Sequence, residues 1–170
     1  VVLVRDNIID ITSEQEIHDL RQARLRLSEA AATLSIDELL ALVLGEAEAL
    51  TGSLIGFFHF IESDEQTISL QAWSHRTTTH FCRAEGKGKH YPVDQAGVWA
   101  DCIHQRRAVF HNDYKALPNQ KGLPPGHAQV IRELMVPIFR EEKIVAVFGV
   151  GNKKQPYDER DIHLVASLGN

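Results

Sequence analysis

Histidine and cysteine are the side chains in this chain that are best suited to chemistry. The sequence contains nine histidines and two cysteines, and seven of the histidines fall between His59 and His127. His75, His80 and Cys82 form the tightest grouping, and imidazole with thiolate suits Zn²⁺ or iron. Their spacing matches no standard zinc motif, so surface histidines beside a small buried cysteine are the alternative. The three residues are candidate metal ligands, and no metal is assigned.

A second group of polar and aromatic side chains predicts a small-molecule pocket. Trp99 lies between two such stretches, His90–Tyr91 and His111–Tyr114. Aromatic faces, an amide and a carboxylate beside apolar strands are the usual composition of a ligand pocket. In the alternative, Asn112 and Asp113 build an Asx turn and the histidines bond to loop backbone. The candidate ligand-binding residues are Phe58, His90, Tyr91, Trp99, His111, Asn112, Asp113 and Tyr114.

Catalytic motifs are absent from the sequence. There is no Gly-x-Ser-x-Gly elbow, no phosphate-binding loop and no His-Glu-x-x-His. We therefore predict no catalytic residue and no defined cofactor, and expect a small organic ligand. A redox or metal-dependent enzyme that uses Cys82, Cys102 and the histidines is the alternative.

Composition narrows the class of protein further. The chain has 170 residues, of which 44% are hydrophobic and 24% charged, as expected for one globular domain. Its net charge of −5, without a cluster of basic residues, argues against a nucleic-acid partner. No apolar run approaches the roughly 20 residues that cross a bilayer. Two cysteines are too few for a disulfide scaffold, so we expect a cytoplasmic protein without direct membrane contact.

The N-terminal region predicts a helix that could pair with a second copy of the chain. Residues 1–12 are apolar without a pattern and are interpreted as an arm or linker remnant, since the chain begins at Val1 rather than Met. A helix is predicted over residues 13–34, with Ser13 and Glu16 as a capping box. A narrow heptad seam follows it, which is typical of helix pairing, although packing on its own domain is the alternative. The seam comprises Ile17, Leu20, Arg24, Leu27, Ala31 and Leu34.

The remainder, residues 35–170, is predicted to form an α+β domain. Ser35 and Glu38 begin a second helix that ends at Gly52. Strands are predicted over residues 54–61, 67–74, 134–140 and 143–151, and a last helix starts at Asp158. The two strands beginning at residues 54 and 143 are apolar on both faces. Helices must therefore cover one face of an antiparallel sheet, and the long insert 75–133, with a helix over 94–105 and a short strand over 108–111, must cover the other.

Three stretches of this pattern resemble GAF domains of bacterial signalling proteins. They are Ala47–Phe57, the paired strands Glu133–Ile138 and Ile144–Val150, and Gly151–Lys153 with Tyr157 and Asp161. The resemblance covers about residues 25–170. It implies a small-molecule sensor and dimerisation module, with a ligand pocket between the sheet and the loops that join its middle strands.

The last of these stretches resembles the Asn-Lys…Phe…Asp-Glu motif of nucleotide-binding GAF domains. Tyr157 replaces the phenylalanine and Ile162 replaces the final glutamate. In that family the Lys–Asp pair looks like a fold-fixing ion pair, so the resemblance implies a structural ion pair between Lys153 and Asp161. The two cysteines lack the contexts of the methionine-sulfoxide-reducing and bilin-binding members.

Together, the residues and the resemblance predict a sensor that regulates an attached output domain, a histidine kinase or a cyclic-dinucleotide enzyme. The expected partners are a small ligand, this output domain and a second copy of the chain, joined through the terminal helices. A ligand-free dimerisation module is a further alternative.

Overall fold

In the described part of the chain, six strands form an antiparallel sheet at the centre of the fold. The computed structural model describes residues 2–81, 90–118 and 128–169. The strands lie in the order β3-β2-β1-β6-β5-β4, and every neighbouring pair is antiparallel. This is the predicted α+β architecture. The strands are β1 Ile55–Ile61, β2 Thr67–Trp73, β3 His90–Pro92, β4 Val109–His111, β5 Glu133–Arg140 and β6 Lys143–Gly151.

The described residues contain four α-helices besides the sheet: α1 Val2–Ala30, α2 Ile36–Thr51, α3 Asp101–Gln105 and α4 Glu159–Gly169. The capping box predicted at the start of α2 is present. Ser35 Oγ accepts from the backbone N–H of Glu38, and the Glu38 carboxylate accepts from the N–H of Ser35. Gly52 ends the helix with a φ of 70°, a left-handed conformation that glycine adopts without steric cost. None of the described helices combines the length and the apolar character needed to cross a bilayer.

The first helix differs from the prediction at both ends. It begins at Val2 instead of Ser13 and ends at Ala30 instead of Leu34. Residues 2–12 contain neither glycine nor proline, so nothing in this segment interrupts a helix that extends upstream of Ser13. The division into an arm, a dimerisation helix and a domain stays a prediction.

Both faces of the sheet are buried, as predicted. Towards α1, α2 and α4, the sheet presents alternate residues of β5 and β6, such as Leu134, Val136 and Phe148. We call this side the helix face. On the opposite side, Met135 and Val147 pack against Cys102 and Ile103 of the insert, and we call this side the insert face. The insert therefore covers the second face of the central strands.

The insert is less helical than predicted. The expected helix over 94–105 is replaced by two 3₁₀ turns, Val93–Gln95 and Val98–Ala100, followed by the five-residue α3. Ala96 and Gly97 between the turns have extended ψ angles of 159° and −169°, which interrupt the helical path. Strand β3 was not predicted, because three residues are too few to show an alternating pattern.

Candidate functional site

The phase of strand β1 decides which side chains reach the insert face. Side chains alternate along a strand, and Phe57 packs with the insert whereas Phe58 packs with the helices. The Phe58 ring lies 5.2 Å from that of Phe60 and 6.0 Å from that of Phe148, in the core of the helix face. The fold therefore separates Phe58 from Trp99, His111 and Tyr114 by the thickness of the sheet, and its role in ligand binding stays a prediction.

Four rings form an aromatic group on the insert face: Phe57, His59, Trp73 and Trp99. The imidazole of His59 is only 5% exposed and stacks on the Trp99 indole, with 4.2 Å between centroids and an angle of 9°. The Phe57 ring lies 6.2 Å from Trp99 and 6.1 Å from Trp73. Trp99 was a sequence candidate, but the other three were missed. The alternation in β1 could have revealed Phe57 and His59 once one residue of that strand was assigned to a face.

Glycine at position 149 makes room for this aromatic group. Gly149 of β6 lies opposite Phe57 of β1, and a Cβ atom at Gly149 would lie 2.1 Å from the Phe57 Cζ atom. Gly151, two residues further, similarly leaves room for Ile55, since a Cβ there would lie 2.7 Å from Ile55 Cγ1. The side chains of β1 therefore extend over β6, where that strand has none.

A histidine held between two carboxylates lies on the same face of the sheet. His111 of β4 is directly opposite Glu133 of β5, and its Nδ1 lies 3.1 Å from Glu133 Oε1. Its Nε2 lies 3.3 Å from Oδ2 of Asp101, the first residue of α3. Glu133 is only 4% exposed. We call Asp101, His111 and Glu133 the His111 cluster; the sequence indicated His111 but not its pairing with Glu133.

Burial and the carboxylates of the His111 cluster together determine the chemistry of a neighbouring cysteine. Cys102 is fully buried, and its thiol donates to the carbonyl of Trp99 at 3.5 Å. Burial, together with the negative charges of Glu133 and Asp101, raises the pKa of Cys102 to about 12. At neutral pH this side chain is a thiol, without the thiolate that nucleophilic attack and metal binding require. Its environment therefore gives no support to the redox or metal-dependent alternative.

Tyr114 is the other sequence candidate beside this cluster. It is buried among Ile55, Val98 and Val130 on the insert side. Burial and the charge of Glu133 both raise the pKa of Tyr114, so its hydroxyl stays protonated at neutral pH. Trp99, His111 and Tyr114 are thus three sequence candidates that the fold places on the insert face.

Asn112 and Asp113 hold the chain together at the end of β4. Asn112 Oδ1 accepts from the backbone N–H of Tyr157 at 2.7 Å, and Asn112 Nδ2 donates to the carbonyl of Tyr157 at 3.0 Å. Asp113 accepts from the backbone N–H of Ala116 at 3.3 Å and so closes a 3₁₀ turn. Asp113 thus closes a local turn, as in the structural alternative, whereas Asn112 bonds to a distant segment, and a role of either in ligand binding stays a prediction. The backbones of His90 and Tyr91 pair with Ser69 and Ile68 of β2, and their side chains lie outside the described part of the chain.

The predicted metal ligands are only partly described. His75 and His80 are exposed, and the His80 ring packs edge-on at 6.3 Å from Phe81, in a π-helical turn over Thr77–Phe81. Cys82 lies outside the described residues. Within the described ranges, no group of three or more His, Cys, Asp or Glu side chains has an arrangement that could hold a metal ion.

The ion pair between Lys153 and Asp161 is present. Lys153 Nζ lies 2.7 Å from both carboxylate oxygens of Asp161, which is buried. Tyr157 lies between them in the sequence, and its hydroxyl bonds to Ser53 Oγ at 2.7 Å. Burial raises the pKa of Tyr157 well above its usual range. The motif joins the end of β6 to α4 and the start of β1, so its side chains already have partners within the fold.

Sequence comparison assigns the chain to a family. The model of the GAF domain matches residues 33–170. Over 148 residues, the chain is 37% identical to a Methyl sulfide methyltransferase-associated sensor of Methanosarcina acetivorans. That alignment covers 86% of this chain and 15% of the length of the sensor. The chain belongs to the GAF domain family, whose members are sensory and signalling modules.

Solved structures share this fold at low sequence identity. The GAF domain of a phosphoenolpyruvate-protein phosphotransferase from Coxiella burnetii has a TM-score of 0.73 at 13% identity, covering 91% of this chain and 88% of that one. Free methionine-R-sulfoxide reductase from Neisseria meningitidis has a TM-score of 0.66 at 16% identity, covering 88% and 83%. Both likenesses concern the fold, which hosts sensory and enzymatic proteins alike.

Proposed function

We propose that this chain is a sensory GAF domain that binds a small organic molecule at the insert face and thereby regulates an attached signalling output domain. The observation that carries the proposal is the His111 cluster, which lies on the same sheet face as the aromatic group. A few convergent polar groups among aromatic walls are the usual composition of a ligand site. We assign no catalytic residue to the domain.

The burial of Glu133 supports this position for the ligand. A buried carboxylate costs free energy unless it is paired, and here His111 supplies one partner. Glu133 lies two residues before Met135 in β5, so the two side chains are on the same face of the sheet. The Met135 side chain packs with Phe57 and the insert. Two residues along a strand span about 7 Å. A small ligand can therefore contact the polar cluster and the aromatic group together.

The terminal helices are the proposed route to the output domain. Helices α1 and α4 contact each other, and both contact α2 on the helix face. A ligand that favours one packing of these helices shifts the output by its difference in affinity for the two arrangements. The relative named as a sensor is far longer than this chain, which suits a regulatory domain within a larger cytoplasmic protein. A histidine kinase or a cyclic-dinucleotide enzyme, joined in a homodimer, is the proposed setting.

Native mass spectrometry of the purified domain, with an absorbance scan and metal analysis of the same sample, tests the proposal. We expect a bound organic species, or thermal stabilisation by at least one compound of a metabolite library. His111→Ala should abolish either signal, because it removes the centre of the polar cluster. Asp113→Asn is the matched control, since Asp113 is exposed and caps a turn.

Two results would contradict the sensor, and a third would contradict the position of its site. An empty protein that no compound stabilises would favour the ligand-free dimerisation module. Equimolar metal, lost in Cys82→Ser, would favour the metal-dependent alternative. Equal ligand binding by the His111→Ala and Asp113→Asn variants would place the site elsewhere on the domain.

A further inference from the structure

We propose that Arg106 is a positioning residue for the ligand site, because it fixes α3 and the adjoining Trp99 turn against the sheet. The inference rests on the proposed function only in treating Trp99 and Asp101 as parts of the site. Arg106 directly follows α3 on the side away from Asp101. Its side-chain contacts with Glu65, Glu142 and Phe139 lie at the opposite end of α3 from Asp101, so Arg106 acts on the site through this helix.

One side chain joins three segments of the fold at this point. Arg106 Nη1 lies 3.0 Å from Glu65 Oε1, in the turn between β1 and β2. Its Nη2 donates to the carbonyl of Glu142, in the turn between β5 and β6. The guanidinium carbon lies 5.4 Å from the centroid of the Phe139 ring. We call Arg106, Glu65, Glu142 and Phe139 the Arg106 clasp.

Two residues of the clasp, and a third beside it, have left-handed backbone conformations. Glu65, Arg106 and Glu141 have positive φ angles of 53°, 50° and 55°, which are uncommon for residues other than glycine. Such conformations persist where the surrounding structure holds them. Glu65 Oε1 also accepts from the backbone N–H of Ile144 at 2.8 Å, so the same carboxylate fixes both β6 and Arg106. Each of the three segments at the clasp therefore contains one residue with a positive φ angle, and the Arg106 guanidinium contacts the two turns on either side.

The short helix α3 transmits the position of the clasp to the site. It has five residues, less than two turns, and Cys102 and Ile103 bury its inner side. At its other end, Asp101 reaches His111, and the Cys102 thiol bonds to the carbonyl of Trp99. A displacement of α3 would therefore change the 4.2 Å stack of Trp99 on His59 and the 3.3 Å contact of Asp101 with His111.

Arginine is the residue type that this position requires. Its planar group donates in two directions at once, whereas lysine offers a single point charge on a flexible stem. Arg106→Lys keeps the charge and loses the two-sided contact. The adjacent Arg107 provides a matched control, since it is exposed and its Nη1 bonds to the carbonyl of the next residue, Ala108.

The test uses the ligand-free chain and the NMR signals of the His59 ring. The Trp99 ring current shifts these protons upfield as long as the two rings are stacked. We expect this shift to move towards the value of an unstacked histidine in Arg106→Lys, and to remain unchanged in Arg107→Lys. Glu65→Gln, a milder change within the clasp, should move the shift in the same direction and also serves if Arg106→Lys fails to fold.

An unchanged His59 shift in folded Arg106→Lys or Glu65→Gln would overturn the proposal, even if the melting temperature falls. Such a result would leave the clasp with a purely stabilising role. An equal change in Arg107→Lys would overturn it as well, because the effect would then follow loss of any arginine. Since no ligand is added, this outcome is independent of the ligand-binding test above.

Discussion

Cys102 shows how the surroundings of one residue decide which chemistry it can perform. Burial and two neighbouring carboxylates, Glu133 and Asp101, all act against the thiolate. The ordinary value of 9.0 rises to about 12, so the thiolate fraction at pH 8 falls about a thousandfold. The same carboxylates that suit a ligand site thus leave the nearest cysteine unreactive.

Alkylation of Cys102 should therefore be suppressed in the folded chain. In a Cys82→Ser background, where Cys102 is the remaining cysteine, we expect negligible modification by iodoacetamide at pH 8. In denaturant, the pKa returns towards its ordinary value and modification should be complete within the same time.

Intact mass spectrometry measures the modified fraction in each sample. Equal rates for folded and unfolded protein at pH 8 would show an exposed thiolate and would restore the redox alternative. The folded state of the variant is verified by circular dichroism before labelling.

Single residues were predictable where a local pattern identified them. The Lys153–Asp161 pair follows from a motif within nine residues of sequence. His111 was found as an isolated candidate, but Glu133 lies 22 residues further along the chain and meets it only through strand register. The face on which Phe58 lies could not be predicted, because β1 is apolar on both sides and its sequence does not show which residues point towards the helices.

Among the elements, the central strands β1 and β6 fit together through unequal side chains. Phe57 is paired with Gly149 and Ile55 with Gly151, and each of the two β1 side chains extends over the glycine opposite it. A side chain added to β6 would have to displace a ring that belongs to the aromatic group. The shape of the proposed site thus depends on the absence of side chains at Gly149 and Gly151 of β6.

Gly149→Ala should destabilise the domain by about 1–3 kcal/mol, the usual cost of overpacking a filled core. The added Cβ would lie 2.1 Å from Phe57 Cζ, so the ring has to move. Gly45→Ala is the matched control, because a Cβ at Gly45 in α2 meets nothing within 4 Å. It should stabilise the domain by up to about 1 kcal/mol through helix propensity.

Urea unfolding followed by circular dichroism gives both free energies. A Gly149→Ala variant as stable as the parent would mean that the Phe57 ring moves without cost, and would weaken the packing described here. A loss of stability in Gly45→Ala would contradict the open space around that residue.

Regular elements were predictable and the turns of the insert were not. The capping box at Ser35 and the alternation in the last hairpin are local signals, and β6 has the predicted bounds, Lys143–Gly151. The 3₁₀ turns around Gly97 and the three residues of β3 are too short for a periodic pattern. Their conformation depends on contacts with the sheet, whose strands are distant in sequence, so it cannot be predicted from neighbouring residues.

At the scale of the whole molecule, the apolar residues of α1 fall into two groups, one buried in the domain and one exposed. Leu20, Ala23 and Leu27 pack into the core of the helix face. Ile17 and Leu25 are 48% and 53% exposed. Two residues of the predicted seam, Leu20 and Leu27, thus pack within the domain, and the exposed side of α1 with Ile17 is the surface available to the proposed second copy.

Ile17→Asp should weaken the proposed homodimer at least about tenfold, since burial of one isoleucine contributes about 1.5–3 kcal/mol. Its effect on the unfolding of the monomer should be small, because the side chain is already half exposed. His18→Asp, at an exposed neighbouring position, is the control. Sedimentation velocity over a concentration series measures the dissociation constants, and a parent chain that is monomeric at high micromolar concentration would refute the dimer.

The position of β6 between β1 and β5 has a consequence for how the chain is made. The strand at the middle of the sheet is the last one to leave the ribosome, so β1 has no central neighbour until residues 143–151 have been synthesised. The hydroxyl contact between Ser53 and Tyr157 spans 104 residues and must form later still. Contacts of such long range are slow to form. Completion of the sheet thus follows synthesis of nearly the whole domain, and a nascent chain that stalls before β6 exposes an apolar strand edge to chaperones.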